Sequence, residues 1–219
     1  MNVTLSENEK CLLDSINQAF DQVMLMNQLS DISLNSSNSK KIIELIQIGV
    51  RSMISFFRLN VDFQVLTEDL QIILTKKSII ESLLLLAVIY YNPISNNFDD
   101  FSSNTILSSK SLIDEYGPIV YTKIMCLIQD MHKLTEGNQL ILKIMLLTIL
   151  FSPNVIEIDF QKRHLISNYH VKYINLLYSY MNFKFGPVES ELKFSNYLCY
   201  LREIFGISTI IRCQNTNIC

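Results

Sequence analysis

The sequence predicts an all-α protein, a compact antiparallel helical sandwich of about nine or ten helices built as one domain over residues 1–219. Three observations predict it. Gly and Pro number only 5 and 4 in 219 residues, too few turn-formers for a strand-rich sandwich. Hydrophobic residues make up 49% of the chain and charged ones 18%, enough apolar surface for a large core. Apolar residues also recur at helical spacing over stretches too long to be strands.

The elements follow in order. Ser6 and Glu9 have capping-box spacing, and Leu12, Leu13, Ile16, Ala19, Phe20 and Val23 form one helical face, so a first helix runs to about Met26. The Asn/Ser-rich residues 27–39 read as a loop. A long helix is expected from Lys40 to Arg58, its wide apolar face carried by residues such as Leu45, Val50, Met53 and Phe57. Thr67-Glu68-Asp69 starts a helix apolar on most sides, which predicts a central position, and Asn92-Pro93 ends it. Residues 92–105 read as a polar loop anchored by Phe98 and Phe101. Further helices are expected at 106–115, 118–133 and 136–151, the last closed by Ser152-Pro153. A long helix starts near Asp159 and stops before Gly186-Pro187, and a final one runs from Glu189 to Arg212. No internal repeat points to a solenoid.

Charge and motifs exclude several classes. The net charge is −3 and no Lys/Arg block is large enough for a phosphate-backbone footprint, so no direct nucleic-acid binding is expected. Five cysteines, without CxxC spacing and odd in number, read as reduced thiols rather than a zinc site or disulfide framework. Met1-Asn2-Val3-Thr4 lacks the regions of a signal peptide. The apolar run 79–89 is too short to span a membrane and contains Glu81, so no membrane association is expected. His132, His164 and His170 have no metal-binding spacing, and no nucleophile elbow or phosphate-cradling glycine loop is present, so the expectation is not an enzyme, with no metal and no cofactor. Glu81, a carboxylate in a buried-looking helix, predicts a specific ion-pair partner.

Five segments then occur in a recognisable order. Leu5-Ser6 through Phe20, Phe63-Gln64-Val65-Leu66 with Gln71-Ile72 and Leu74, and Leu150-Phe151-Ser152-Pro153-Asn154 are three of them. Leu165 to Tyr180 and Phe194 to Arg202 complete the set. Together they resemble, collinearly over nearly the whole chain, the ligand-binding domain of nuclear hormone receptors. Within that family the vitamin D receptor and its xenobiotic and arthropod relatives look closest. The chain departs from the family pattern at Leu70, Thr75, Leu86 and Asn154. The sequence also has no two-zinc DNA-binding domain, and its tail from Ile211 to Cys219, without a carboxylate, does not supply the closing activation helix. The expectation is a fragment, a truncated isoform or a diverged member.

The resemblance implies a three-layer helical sandwich, a nuclear location and three sites. The pocket would take Ile42, Leu45, Ile46 and Gly49 from one helix, facing Ile80, Leu83, Leu84, Leu86, Ala87 and Tyr90 on another. Leu86 in place of a polar anchor favours a lipophilic ligand such as a sterol, fatty acid or xenobiotic. The alternative is that these side chains pack on one another with no cavity. A groove for an LxxLL-type coregulator helix would use Ile54, Gln71 and Ile72, with Arg58 and Lys76 as its cations. The alternative for Arg58 is a cap on its own helix. Binding there is expected to be weak without the opposing activation helix. A dimer surface of Phe194, Tyr197, Leu198 and Leu201 would pair with a partner receptor, typically the retinoid X receptor; the alternative places all four in the core. Two functions therefore stand: a ligand-regulated transcriptional receptor domain, or a ligand-independent dimerisation module that represses a partner receptor. An unrelated helical scaffold is the third reading.

Overall fold

A computed structural model describes residues 4–29, 38–95, 97–98, 113–114, 116–153 and 159–216, with the side chains of 27–29, 38–42, 97 and 215–216 left undescribed. Among the described residues the chain is all-α, with eight helices. Of the helix expected at 106–115 only residues 113 and 114 are described, both helical; the rest of it and the anchor Phe101 lie outside the described residues.

Helix α1 (Glu7–Leu29) begins at the capping box: the Ser6 amide donates to Glu9 Oε2 at 2.8 Å and the Glu9 amide donates to Ser6 Oγ at 3.3 Å. Both N-terminal donors are thereby satisfied reciprocally. Leu13, Ile16, Phe20 and Val23 are buried, as a stripe at helical spacing requires. Helix α2 (Asn38–Leu59) buries Leu45, Ile48, Met53, Phe56 and Phe57. Phe20 of α1 meets Phe56 edge-on, with ring centroids 5.4 Å apart.

A single-turn helix, α3 (Val61–Gln64), interrupts what reads in the sequence as a plain connection. Asn60 makes it: its Oδ1 accepts the Phe63 amide at 3.1 Å, while its Nδ2 donates to the Tyr173 hydroxyl at 2.7 Å. The central helix α4 (Glu68–Tyr90) then passes directly into a two-residue strand, β1 (Tyr91–Asn92), paired antiparallel with β2 (Asn97–Phe98). Asn92 Oδ1 accepts the amides of Ile94 and Ser95 and so folds the turn between them.

Pro118 starts α5 (Pro118–Thr135), where a missing amide costs nothing. Glu136 and Gly137 stop it at φ 52° and 69°, and Asn138 caps α6 (Gln139–Leu150) through the Leu140 and Ile141 amides. This left-handed pair moves the boundary between the two helices a few residues past the expected one. Every residue of α6 from Ile141 to Leu150 is buried. Asp159 caps α7 (Phe160–Phe185) through the Lys162 amide at 2.9 Å. Gly186, at φ 80°, joins it to α8 (Pro187–Thr216), which starts on proline rather than at Glu189.

The core forms around α4 and α6. Helix α4 packs on α2, α5, α6 and α8, and α6 packs on α1, α4, α5 and α7. Helices α1 and α2 pair with each other, as do α7 and α8. These helices share a continuous cluster of buried side chains from Leu5 to Ile211.

Candidate functional site

The stretch from Ile54 to Leu86 is held by one amide. Gln71, one turn into α4, donates from Nε2 to the carbonyls of Phe63 (2.9 Å) and Leu66 (3.1 Å), both in the segment that joins α2 to α4. Gln64 reaches back to the Arg58 carbonyl at 2.8 Å. Phe63 and Leu66 are buried beneath this segment, and Phe63 lies 6.2 Å from the Phe57 ring. The segment is thus pinned from inside by apolar contact and from α4 by hydrogen bonds, which fixes its position between the two helices.

The residues expected to form a partner-helix groove lie on this frame. Arg58 and Lys76 are exposed, Ile72 is 44% exposed, and Ile54 and Gln71 are half-buried. Val61 and Val65, exposed by 54% and 70%, add apolar surface in the same connecting segment. Val61 and Val65 escape sequence reasoning because α3 is too short to show a period.

The expected pocket residues fall on the α2–α4 contact. Leu45, Leu84 and Leu86 are buried, while Ile46, Ile80, Leu83, Ala87 and Tyr90 are half-buried; the side chain of Ile42 lies outside the described residues. At Gly49 the helices touch: a methyl group there would stand 2.8 Å from Leu83 Cδ2 and 3.5 Å from Leu86 Cδ2. The glycine lets α2 and α4 approach closely at this level, and any side chain there would have to displace the end of Leu83. The Tyr90 hydroxyl points to the Met24 sulfur on α1.

Three of the four expected dimer residues are accessible to some degree. Leu198 is 49% exposed, and Phe194 and Leu201 are half-buried, with Phe194 edge-on to Tyr178 at 5.1 Å. Tyr197 is not on that surface. It is wholly buried, and its hydroxyl shares a short hydrogen bond with Thr148 of α6. Burial pushes the Tyr197 phenol well above its ordinary pKa. The sequence misplaces it because a helix packed on two neighbours has apolar residues on more than one face.

Glu81 has the specific partner its burial demands. Arg212, near the end of α8, donates to both its carboxylate oxygens at 2.8 and 3.1 Å, and Ser208 donates to Oε1 at 2.6 Å. The same guanidinium also reaches the Lys77 carbonyl at 2.7 Å. Beside this pair opens a cleft of about 210 Å³ between α4, the end of α6 and the end of α8. Leu74, Ile149, Leu150 and Phe205 form its apolar walls.

The three histidines are scattered. His170 donates from Nδ1 to the Thr148 carbonyl at 3.0 Å, His164 Nδ1 pairs with Asn168 at 3.3 Å, and His132 lies edge-on to Tyr91. Among the described residues no group of three or more His, Cys, Asp or Glu could hold a metal ion, and no helix is long and apolar enough to cross a membrane. No family model matches the chain, and no curated protein matches it.

Proposed function

We propose that this chain is a nuclear hormone receptor ligand-binding domain, one that binds a lipophilic molecule and regulates transcription in the nucleus by recruiting coregulator helices and a partner receptor. The observation that carries the reading is the double hydrogen bond of Gln71 to Phe63 and Leu66. The residues whose spacing carries the resemblance thereby become one physical unit, a segment fixed between α2 and α4. The helix pairings support a layered sandwich that goes with it: α4 packs on α2 and α8, and α6 on α1 and α7.

In this reading an LxxLL-type helix lies on Ile54, Ile72 and the connecting segment, and Arg58 and Lys76 face the carbonyls of its last turn. Each such contact is worth about 0.3–2 kcal/mol, roughly two- to thirty-fold in affinity. Titration of a labelled LxxLL peptide is expected to show weak, saturable binding that Arg58→Glu lowers within that range. Binding unaffected by both Arg58→Glu and Lys76→Glu would remove the groove from the proposal.

A second reading, a ligand-independent dimerisation module that represses a partner receptor, is favoured by the direct contact of Gly49 with Leu83 and Leu86. Co-purified lipid in native mass spectrometry, or a thermal shift with a sterol or fatty acid, selects the ligand-regulated reading. Neither of these, together with mixed dimers with a retinoid X receptor ligand-binding domain by light scattering, selects the second.

A further inference from the structure

Helix α8 carries a glycine that packing does not ask for. Gly206 is exposed, and a methyl group added to it would meet nothing within 4 Å. It serves no close approach of the kind Gly49 does, and in a helix interior it weakens α8 about two- to fivefold relative to alanine. The hydrogen-bond ladder is disturbed at the same place. The Phe205 carbonyl, one residue before the glycine, accepts the Thr209 hydroxyl at 2.8 Å. Ser208 shares its one proton between that carbonyl, at 3.0 Å, and Glu81 Oε1, at 2.6 Å. Hydroxyls bonded back onto the preceding turn loosen and bend a helix. Both observations weaken α8 at one turn.

Beyond that turn α8 is held from outside. Ile207 and Ile211 enter the core, and Ile210 packs against it. Arg212 clamps α4: it donates to both Glu81 oxygens at 2.8 and 3.1 Å, to the Lys77 carbonyl at 2.7 Å and to the Lys76 carbonyl at 3.5 Å. With the Ser208 bond, these contacts converge on one stretch of one helix, centred on a single buried carboxylate. Ile207 to Thr216 is shorter than the roughly 12–15 residues an isolated helix needs, so this end of α8 stays helical only while it is docked. Ser208, Thr209 and Arg212 also form one wall of the 210 Å³ cleft, across from Leu74, Ile149 and Leu150. We propose that Ile207–Thr216 is a strap: it docks on α4 through Glu81, leaves as one unit about Gly206, and on release opens the cleft along that wall. The proposal is independent of the receptor reading, which concerns the α2–α4 side.

Hydrogen exchange of the full chain under native conditions, read by mass spectrometry, tests it. The amides after Gly206 are expected to share one level of protection, with a step at the glycine. Gly206→Ala is expected to slow exchange about two- to fivefold along the whole strap. Arg212→Gln is expected to speed it at least about tenfold and to leave Pro187–Phe205 unchanged. Protection that fades gradually from Thr216 back towards Gly206, without a step, would be ordinary end fraying and overturn the proposal. So would unaltered exchange of the strap in Gly206→Ala, or an Arg212→Gln variant that speeds both halves of α8 alike. Gly206→Ala removes no contact, so its result stands even if Arg212→Gln fails to fold.

Discussion

Two side chains on α4, adjacent in sequence, sit in the core with opposite consequences. Glu81 is paired and Ser82 is not: the Ser82 hydroxyl is fully buried and finds no hydrogen-bond partner among the described residues. An orphaned buried hydroxyl costs about 1–3 kcal/mol, whereas its removal leaves only a small void. Ser82→Ala is therefore expected to raise stability by about 1 kcal/mol, read from the midpoint of denaturant unfolding. A loss of similar size would mean that the hydroxyl has a partner. Arg212→Gln acts the other way, because it strands the Glu81 charge. Breaking a buried pair from one side costs about 3–5 kcal/mol; the lower end is expected here, since 37% of the Arg212 side chain is exposed. Adding Glu81→Gln to that variant is expected to restore much of the loss. A double variant as unstable as Arg212→Gln alone would show that the arginine acts through packing and its carbonyl contacts instead.

Helices were the readable part of this chain because each carries its own signals. The Ser6–Glu9 capping box, the Asn92-Pro93 stop and the Gly186-Pro187 junction are all local, and apolar spacing between them is enough. The α3 turn was not readable, since it depends on Asn60 bonding with Tyr173, 113 residues away. The Glu81 partner, 131 residues away, was equally hidden: periodicity marks a buried face but not the helix that covers it. Helix α6 shows this limit most plainly. Buried throughout from Ile141 to Leu150, it nevertheless contains Lys143, whose ammonium reaches Asn17 at 2.7 Å and Asp21 at 2.8 Å on α1 and lies 4.8 Å from the centre of the Phe20 ring. The lysine stem fills the core while its head ties α1 down. Asp21→Ala is expected to destabilise the protein by about 2–3 kcal/mol, with faster amide exchange concentrated in α1. Lys143→Met, which removes the charge and keeps the volume, is expected to be close to neutral. If Asp21→Ala leaves α1 exchange unchanged, the ion pair does not hold the helix.

Besides the Glu81–Arg212 pair, two polar knots join the α7–α8 side to the rest of the molecule. In one, Tyr173 of α7 donates to Asp62 at 2.8 Å and accepts from Asn60, with Lys172 on the same carboxylate at 2.6 Å. In the other, Thr148 of α6 meets Tyr197 of α8 through its hydroxyl and His170 of α7 through its carbonyl. That carbonyl lies in the last turn of α6, where helical partners run out, so the histidine satisfies an otherwise orphaned acceptor. Burial holds the His170 pKa below its ordinary value, outweighing the opposing effect of the Thr148 bond. The unfolded chain therefore takes up this proton more readily than the folded one. Stability from His170 is complete above about pH 6.5 and is lost as the pH falls below that value through the folded pKa. Glu9 and Asp159, whose carboxyls are lowered chiefly by their helix-cap hydrogen bonds, add their own losses only nearer pH 4. Between pH 7 and 5 the denaturant midpoint is thus expected to fall in the wild type, and His170→Gln is expected to flatten that slope. Amide exchange should rise first where α7 and α8 meet α6. A slope unchanged by His170→Gln would locate the titrating group elsewhere and leave the Thr148 knot insensitive to protonation.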